Sequence, residues 1–233
     1  MVSNMRIAAL MPIKGHSERI PEKNFRDFCG RPFYHWVLDA LQGVGAIKTV
    51  VINTDAREKL LETGVKEFPA VQLRTRKPEL CGDLVSMNLV LADDVENVEA
   101  DVYVMTHSTN PLLTTETIGK ALDAFDAKFR TGECDSLFSV NKVQTRFYRG
   151  DGSAVNHDPE NLVRTQDLEP WFEENSNLYV FSREAFQQAG RRIGRKPMMF
   201  VTPRLDSIDI DDWDDWILAE HLCRARHGSG QPS

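Results

Sequence analysis

A chain of 233 residues with 28 Lys+Arg against 35 Asp+Glu carries a net charge of -7, which argues against nucleic-acid partners whose affinity rests on neutralised phosphates. Hydrophobic residues at 41% and charged residues at 27% are globular proportions, and this length buries a core without disulfides or a structural metal. Cys29, Cys81, Cys134 and Cys223 are far apart with no CxxC pair, so they read as free thiols in a reducing compartment. No run resembles a signal peptide or a membrane span, and the expected location is cytoplasmic.

The run Arg6-Ile-Ala-Ala-Leu-Met-Pro-Ile13 is almost wholly apolar, the pattern of a strand buried on both faces of a parallel sheet. A polar loop from Lys14 to Gly30 follows. Phe33, Trp36, Val37, Ala40, Leu41 and Val44 then recur at helical spacing, with Pro32 placed as a first-turn proline. Thr49–Asn53 predicts a second strand, with Asp55 as cap of the next helix. Val71–Leu73 is a weaker strand, and Met87, Leu91, Val95 and Val98 mark a helix. Asp101–Thr106 reads as a strand, Ile118, Leu122, Phe125 and Phe129 as one helix face, and Leu137–Val140 as a further strand.

This alternation predicts an α/β fold, a doubly wound and mostly parallel sheet with binding loops at the carboxyl ends of its strands. The polar stretch 141–175, with Gly150, Gly152, Pro159 and Pro170, interrupts the rhythm and reads as an inserted hairpin or lid within a single domain over 1–226. Its Phe147, Tyr148, Leu162, Leu168, Trp171 and Phe172 form no core of their own and mark a partner surface. Asn177–Phe181, Phe200–Thr202 and Ser207–Ile210 read as returning strands. A last helix is expected from near Asp211, and residues 227–233 as a frayed tail.

Two segments carry chemistry. In the first loop Gly15 permits a tight turn while Lys14, Ser17, Arg19 and Lys23 supply donors, a set able to wrap a triphosphate. Neither GxxxxGK[ST] nor GxGxxG is present, and a solvated basic loop is the competing reading. In Asp206-Ser-Ile-Asp-Ile-Asp211, Asp209 and Asp211 stand at strand spacing and are hard oxygen ligands suited to Mg²⁺. The competing reading makes Asp211 or Asp212 a helix cap.

The run Met11-Pro-Ile-Lys-Gly-His-Ser-Glu-Arg-Ile-Pro-Glu-Lys-Asn24, with Gly30-Arg-Pro-Phe33, resembles the N-terminal signature of the acylneuraminate cytidylyltransferases, the CMP-sialic acid synthetases. Six later segments fall in that family's order: Thr54-Asp55, Arg76–Asp83, Thr109–Leu112, Arg164–Pro170, Glu174–Tyr179 and Asp206–Asp211. The resemblance implies transfer of CMP from CTP to the anomeric hydroxyl of an acidic sugar, with Mg²⁺ as cofactor, pyrophosphate as product, and a homodimer built partly by 141–175. By position it makes Lys23 the phosphate-contacting lysine, Asn24 and Arg76 nucleoside contacts, and Asp209 and Asp211 the metal ligands. Arg149, Arg164, Gln166 and Tyr179 fall where the family contacts the acidic sugar or closes the lid. His107 and Asn110 join that group, His107 either as a partner of a sugar hydroxyl or as a satisfied structural histidine.

The sequence departs from the family at Glu18, where a lysine is usual, at His107–Leu113 and at Asn175-Ser-Asn177, and the last two changes border the sugar pocket. Rival readings are activation of Kdo, legionaminic or pseudaminic acid, a sugar-1-phosphate nucleotidyltransferase, a glycosyltransferase, and a non-catalytic nucleotide-binding regulator. Arg164, as a bidentate partner for a carboxylate, favours an acidic sugar. Both metal carboxylates weigh against the regulator.

Overall fold

A computed structural model of the chain describes residues 5–227. The opening strand β1 (Ile7–Leu10) is buried at every position, as a strand flanked on both sides must be. After a long loop come two short strands, β2 (Asp27–Phe28) and β3 (Arg31–Pro32), which pair as a hairpin. Pro32 therefore pairs with Asp27 instead of opening the helix, and α1 (Tyr34–Gln42) begins two residues later. Strand β4 (Ile47–Thr54) leads to α2 (Arg57–Glu62). Asp55 does not cap α2: its carboxylate accepts from the Gly15 amide at 2.7 Å and ties the first loop down.

Next come β5 (Val71–Thr75), α3 (Met87–Asn97), β6 (Val102–Thr106) and α4 (Thr115–Phe129). Ser86 and Thr114 cap the two helices through side-chain oxygens, satisfying amides that no carbonyl can reach. Strand β7 (Ser136–Val143) is followed by the protruding segment, then β8 (Trp171–Ser182), α5 (Arg183–Ala189), β9 (Pro197–Val201) and α6 (Trp213–His227). The expected tail begins one residue too early, since His227 still belongs to α6, and its remainder lies outside the described residues.

Among the described residues one seven-stranded sheet has the order β5-β4-β1-β6-β8-β7-β9, with β8 alone antiparallel to its neighbours. The chain order reverses at β1, and such a switch point opens a crevice outside the carboxyl ends of the strands. One apolar cluster packs α1 and α4 on one face, with Leu38, Leu41, Ile118 and Phe125 buried there. A second packs Leu91, Val95 and Phe186 on the other. Full burial of each such side chain contributes about 1.5–3 kcal/mol, so both faces must stay covered.

The segment expected as a hairpin is one at its base, where β7 and β8 pair out to Val143 opposite Trp171. Beyond that, Phe147 stacks on Trp171 with ring centroids 5.2 Å apart, and Trp171, Phe172, Tyr148 and Leu162 are exposed. Leu168 is an exception, buried against expectation.

Ser207–Ile210 is not a strand. It is an irregular run in which Ile210 donates to the Thr109 carbonyl at 3.0 Å, and Ile208 and Ile210 alternate because they pack on the Trp216 cluster. Buried Asp206 pins the run, accepting from Thr114, Thr117 and Arg226, each at 2.7 Å.

Candidate active site

The loops that leave β1, β5 and β6 at their carboxyl ends carry Lys14, Arg76 and His107. The first loop lies close against the β4–α2 turn. A Cβ at Gly15 would stand 2.8 Å from that of Ala56, a contact no side chain tolerates. Lys14, Ser17, Arg19 and Lys23 line one small cleft of about 240 Å³ together with Asp211, so the structure gathers the predicted phosphate donors. Lys14 pairs with Asp83 at 3.2 Å and Arg19 with Asp211 at 3.3 Å, both in solvent.

Lys23 follows Glu22, a non-glycine residue at φ 56, a left-handed conformation that sets the direction of the next side chain. Its ammonium is buried and donates to the Ile210 carbonyl. Burial pulls its pKa below the usual lysine value, opposed by the carboxylates of Asp209 and Asp211. Burial also pushes the Asp209 carboxyl upward, against a hydrogen bond from Thr109, and the Asp211 charge adds to the rise. Asp209 Oδ1 is buried with no protein partner.

Asp211 and Asp212 divide the roles that the sequence left open. Asp212 caps α6, accepting from the amides of Asp214 and Asp215 at 3.0 Å each, while Asp215 accepts back from the amides of Asp211 and Asp212. This reciprocal capping box leaves the Asp211 carboxylate free to face the first loop.

Asn24 and Arg76 hold the crevice together. Asn24 donates to the Lys14 carbonyl at 3.0 Å and accepts from Ser108 at 2.8 Å. Buried Arg76 donates through Nε to Asn53 Oδ1 at 3.1 Å and through Nη2 to the carbonyls of Asn53 and Ile13. Asn53 is in turn oriented by Asp94, to which it donates at 2.8 Å.

His107 is partly buried, and burial lowers its pKa to about 4, with the Arg192 and Lys23 charges contributing. The imidazole is neutral at pH 7 and lies near two cations. Asn110 is fully buried, and neither atom of its amide has a protein partner. Such an amide costs about 1–3 kcal/mol unless water or ligand satisfies it. Tyr179 is buried on β8, its hydroxyl donating to Glu174 and accepting from Arg192 at 3.0 Å.

Arg149, Arg164 and Gln166 are not brought to this crevice within one chain. Arg149 bonds Ser153, Arg164 pairs with Asp167 at 2.7 Å, and Gln166 accepts from Gln144, all on the exposed protruding segment.

A larger cavity of about 690 Å³ adjoins Tyr179, lined by Arg191, Arg192, Arg195, Glu174 and Asn88 among others. The Arg192 guanidinium lies 4.0 Å from the Tyr179 ring centroid. These arginines escaped the sequence reading, although the basic run Arg191-Arg192-Ile-Gly-Arg195-Lys196 was visible as a signal.

Two solved structures share the architecture. CMP:2-keto-3-deoxy-manno-octonic acid synthetase complexed with CTP aligns with TM-score 0.67 at 15% identity, covering 95% of this chain and 99% of that one. A 4-diphosphocytidyl-2C-methyl-D-erythritol synthase from Anaerococcus prevotii aligns with TM-score 0.65 at 11% identity, covering 96% and 98%. At the level of class the protein is a nucleotidyltransferase with the fold these enzymes share. The chain belongs to the cytidylyltransferase family, whose model matches residues 8–204. Among relatives, a pseudaminic acid cytidylyltransferase from Campylobacter jejuni is 25% identical over 97% of this chain and 99% of its own length. An N-acylneuraminate cytidylyltransferase from Oncorhynchus mykiss is 30% identical over 92% of this chain and 49% of its own.

Proposed function

We propose that this protein transfers CMP from CTP to the anomeric hydroxyl of an acidic sugar of the nonulosonic type and releases pyrophosphate. The observation that carries this reading is the buried Lys23 ammonium held against the Ile210 carbonyl, between the Asp209 and Asp211 carboxylates and the cleft of the first loop. The relatives' names supply the substrate class, since both act on acidic sugars.

In this mechanism the triphosphate lies along the first loop, where Lys14, Ser17, Arg19 and the Gly15 region meet it. Lys23 neutralises charge that moves toward the departing pyrophosphate, and catalysis is alignment plus electrostatic stabilisation. Arg76 and Asn24 border the nucleoside, with Arg76 Nη1 left over for the base. Asp209 and Asp211 would hold Mg²⁺, and the unpartnered buried Oδ1 of Asp209 fits that assignment. Among the described residues no group of three or more His, Cys, Asp and Glu gathers to hold a metal. Two carboxylates with phosphate oxygens and water are a donor set that Mg²⁺ commonly accepts, and when bound the ion would supply charge neutralisation on the phosphates.

The sugar occupies the side of the crevice bounded by His107, Asn110, Tyr179 and the arginine-lined cavity. Arg149, Arg164 and Gln166 reach a sugar only across a subunit boundary, so the protein works as a homodimer through residues 141–175, in the cytoplasm. The exposed Trp171, Phe172 and Tyr148 support that surface. Among the described residues no helix is long and apolar enough to cross a membrane. Thermal-shift titration in Mg²⁺ buffer tests the nucleotide: CTP stabilises the protein more than UTP, and equal stabilisation contradicts the cytidine reading.

A further inference from the structure

Two cysteines distant in sequence meet in the fold. Cys29 and Gly30 form the turn between β2 and β3, at φ 53 and φ 87. Two successive left-handed residues define a hairpin turn that normally takes Asn-Gly or Gly-Gly, so a cysteine here is held at a conformational cost. The turn presents the Cys29 side chain to α6. Its Sγ donates to the Glu220 carbonyl at 3.6 Å, and Cys29 packs against the cluster that holds Cys223, one helical turn further along.

Cys223 is fully buried in an apolar cluster with Phe28, Phe33 and Trp216, on which Cys29 packs from its edge. Cys29 keeps partial access to solvent. Of the other two, Cys81 donates to the Lys77 carbonyl and Cys134 to the Phe125 carbonyl.

We propose that Cys29 and Cys223 are an oxidative modification site, which a hydroperoxide converts to an intrachain disulfide. In the first step the Cys29 thiolate attacks the peroxide O–O bond, becoming a sulfenic acid as the other oxygen leaves as alcohol or water. In the second, the Cys223 sulfur displaces the sulfenic hydroxyl as water, and the S–S bond forms. Two electrons pass from the sulfur pair to the peroxide. Burial, with the neighbouring Cys29, pushes the Cys223 thiol up to about 12.

The bond would tie the hairpin that ends the first loop to the helix that follows Asp209 and Asp211. It would thus clamp two walls of the crevice where Lys23 meets Ile210. Oxidation is expected to slow turnover several-fold, reversibly on addition of dithiothreitol.

The test treats the full-length protein with hydrogen peroxide, alkylates the remaining thiols with iodoacetamide, and maps peptides without reduction. The expected result is a monomer-mass chain that has lost two hydrogens, with Cys29 and Cys223 peptides linked and Cys81 and Cys134 alkylated. Adding dimedone during oxidation should trap Cys29 in the Cys223→Ser variant and leave Cys223 unmodified in Cys29→Ser. Should either variant fail to fold, the wild-type map decides alone. Alkylation of both Cys29 and Cys223 after peroxide, a link to Cys81 or Cys134, or a link between two chains would each overturn the proposal.

Discussion

Replacing Lys23 by alanine separates catalysis from folding at the centre of the crevice. The ammonium is buried, bonds the Ile210 carbonyl, and feels the charges of both Asp209 and Asp211. A charge fixed at such a site opposes the developing negative charge of pyrophosphate without reorganising. Its loss costs about 2.7–4 kcal/mol of activation free energy, roughly a hundred- to a thousand-fold in rate. Truncation also strands the Ile210 carbonyl, a cost to stability of about 1–3 kcal/mol. Lys23→Met, which keeps most of the volume, serves as the second variant. Steady-state pyrophosphate release measures kcat, calorimetry measures CTP affinity, and circular dichroism measures the unfolding midpoint. The expected pattern is a large fall in kcat with a smaller loss of CTP affinity in both variants. A folded variant whose rate stays within about 0.5 kcal/mol of wild type would mean that Lys23 is merely a structural tether.

Asp209→Asn and Asp211→Asn should each lower turnover by orders of magnitude, because an amide oxygen attracts Mg²⁺ far less than a carboxylate; near-wild-type rates in both would remove the metal assignment. Asp206→Ala deprives Thr114, Thr117 and Arg226 of their shared acceptor and should cost about 3 kcal/mol in urea unfolding, with a loss below about 1 kcal/mol counting against its bracing role. Burial pushes Asp94 up to about 6, against hydrogen bonding from Asn53 and the charge of Arg74. Its raised folded pKa makes its contribution full below about pH 4 and lost as pH rises to 6, about 3 kcal/mol in all. The stability of Asp94→Asn relative to wild type should therefore improve by that amount between pH 4 and pH 7, and a pH-independent difference would refute it.

The strands that build the crevice were legible because burial on both faces leaves continuous apolar runs such as Ile7–Leu10 and Val102–Thr106. The α5 helix was not, because only Ala185 and Phe186 of its seven residues are buried, too few to show a period. Ser207–Ile210 misled for a different reason: a loop packed on an aromatic cluster alternates like a strand without pairing like one. Pro32 and Asp55 were given local roles that tertiary contacts overrode, one by pairing with Asp27 and the other by holding Gly15. In the candidate site, Lys23, Asp209 and Asp211 stood in motifs, so their grouping around Ile210 was open to a pattern. Arg192 stood in a visible basic run, but its place beside Tyr179 was not legible, because that contact joins residues from separate elements.

Pyrophosphate release from CTP and Mg²⁺ tests the proposed CMP transfer to an acidic sugar, with a panel of nonulosonic and 3-deoxy-ulosonic acids beside neutral sugars and sugar 1-phosphates. Release is expected with at least one acid, with a matching CMP-sugar by mass spectrometry, while neutral sugars and sugar 1-phosphates leave CTP intact. Release with a sugar 1-phosphate but with none of the acids would contradict it.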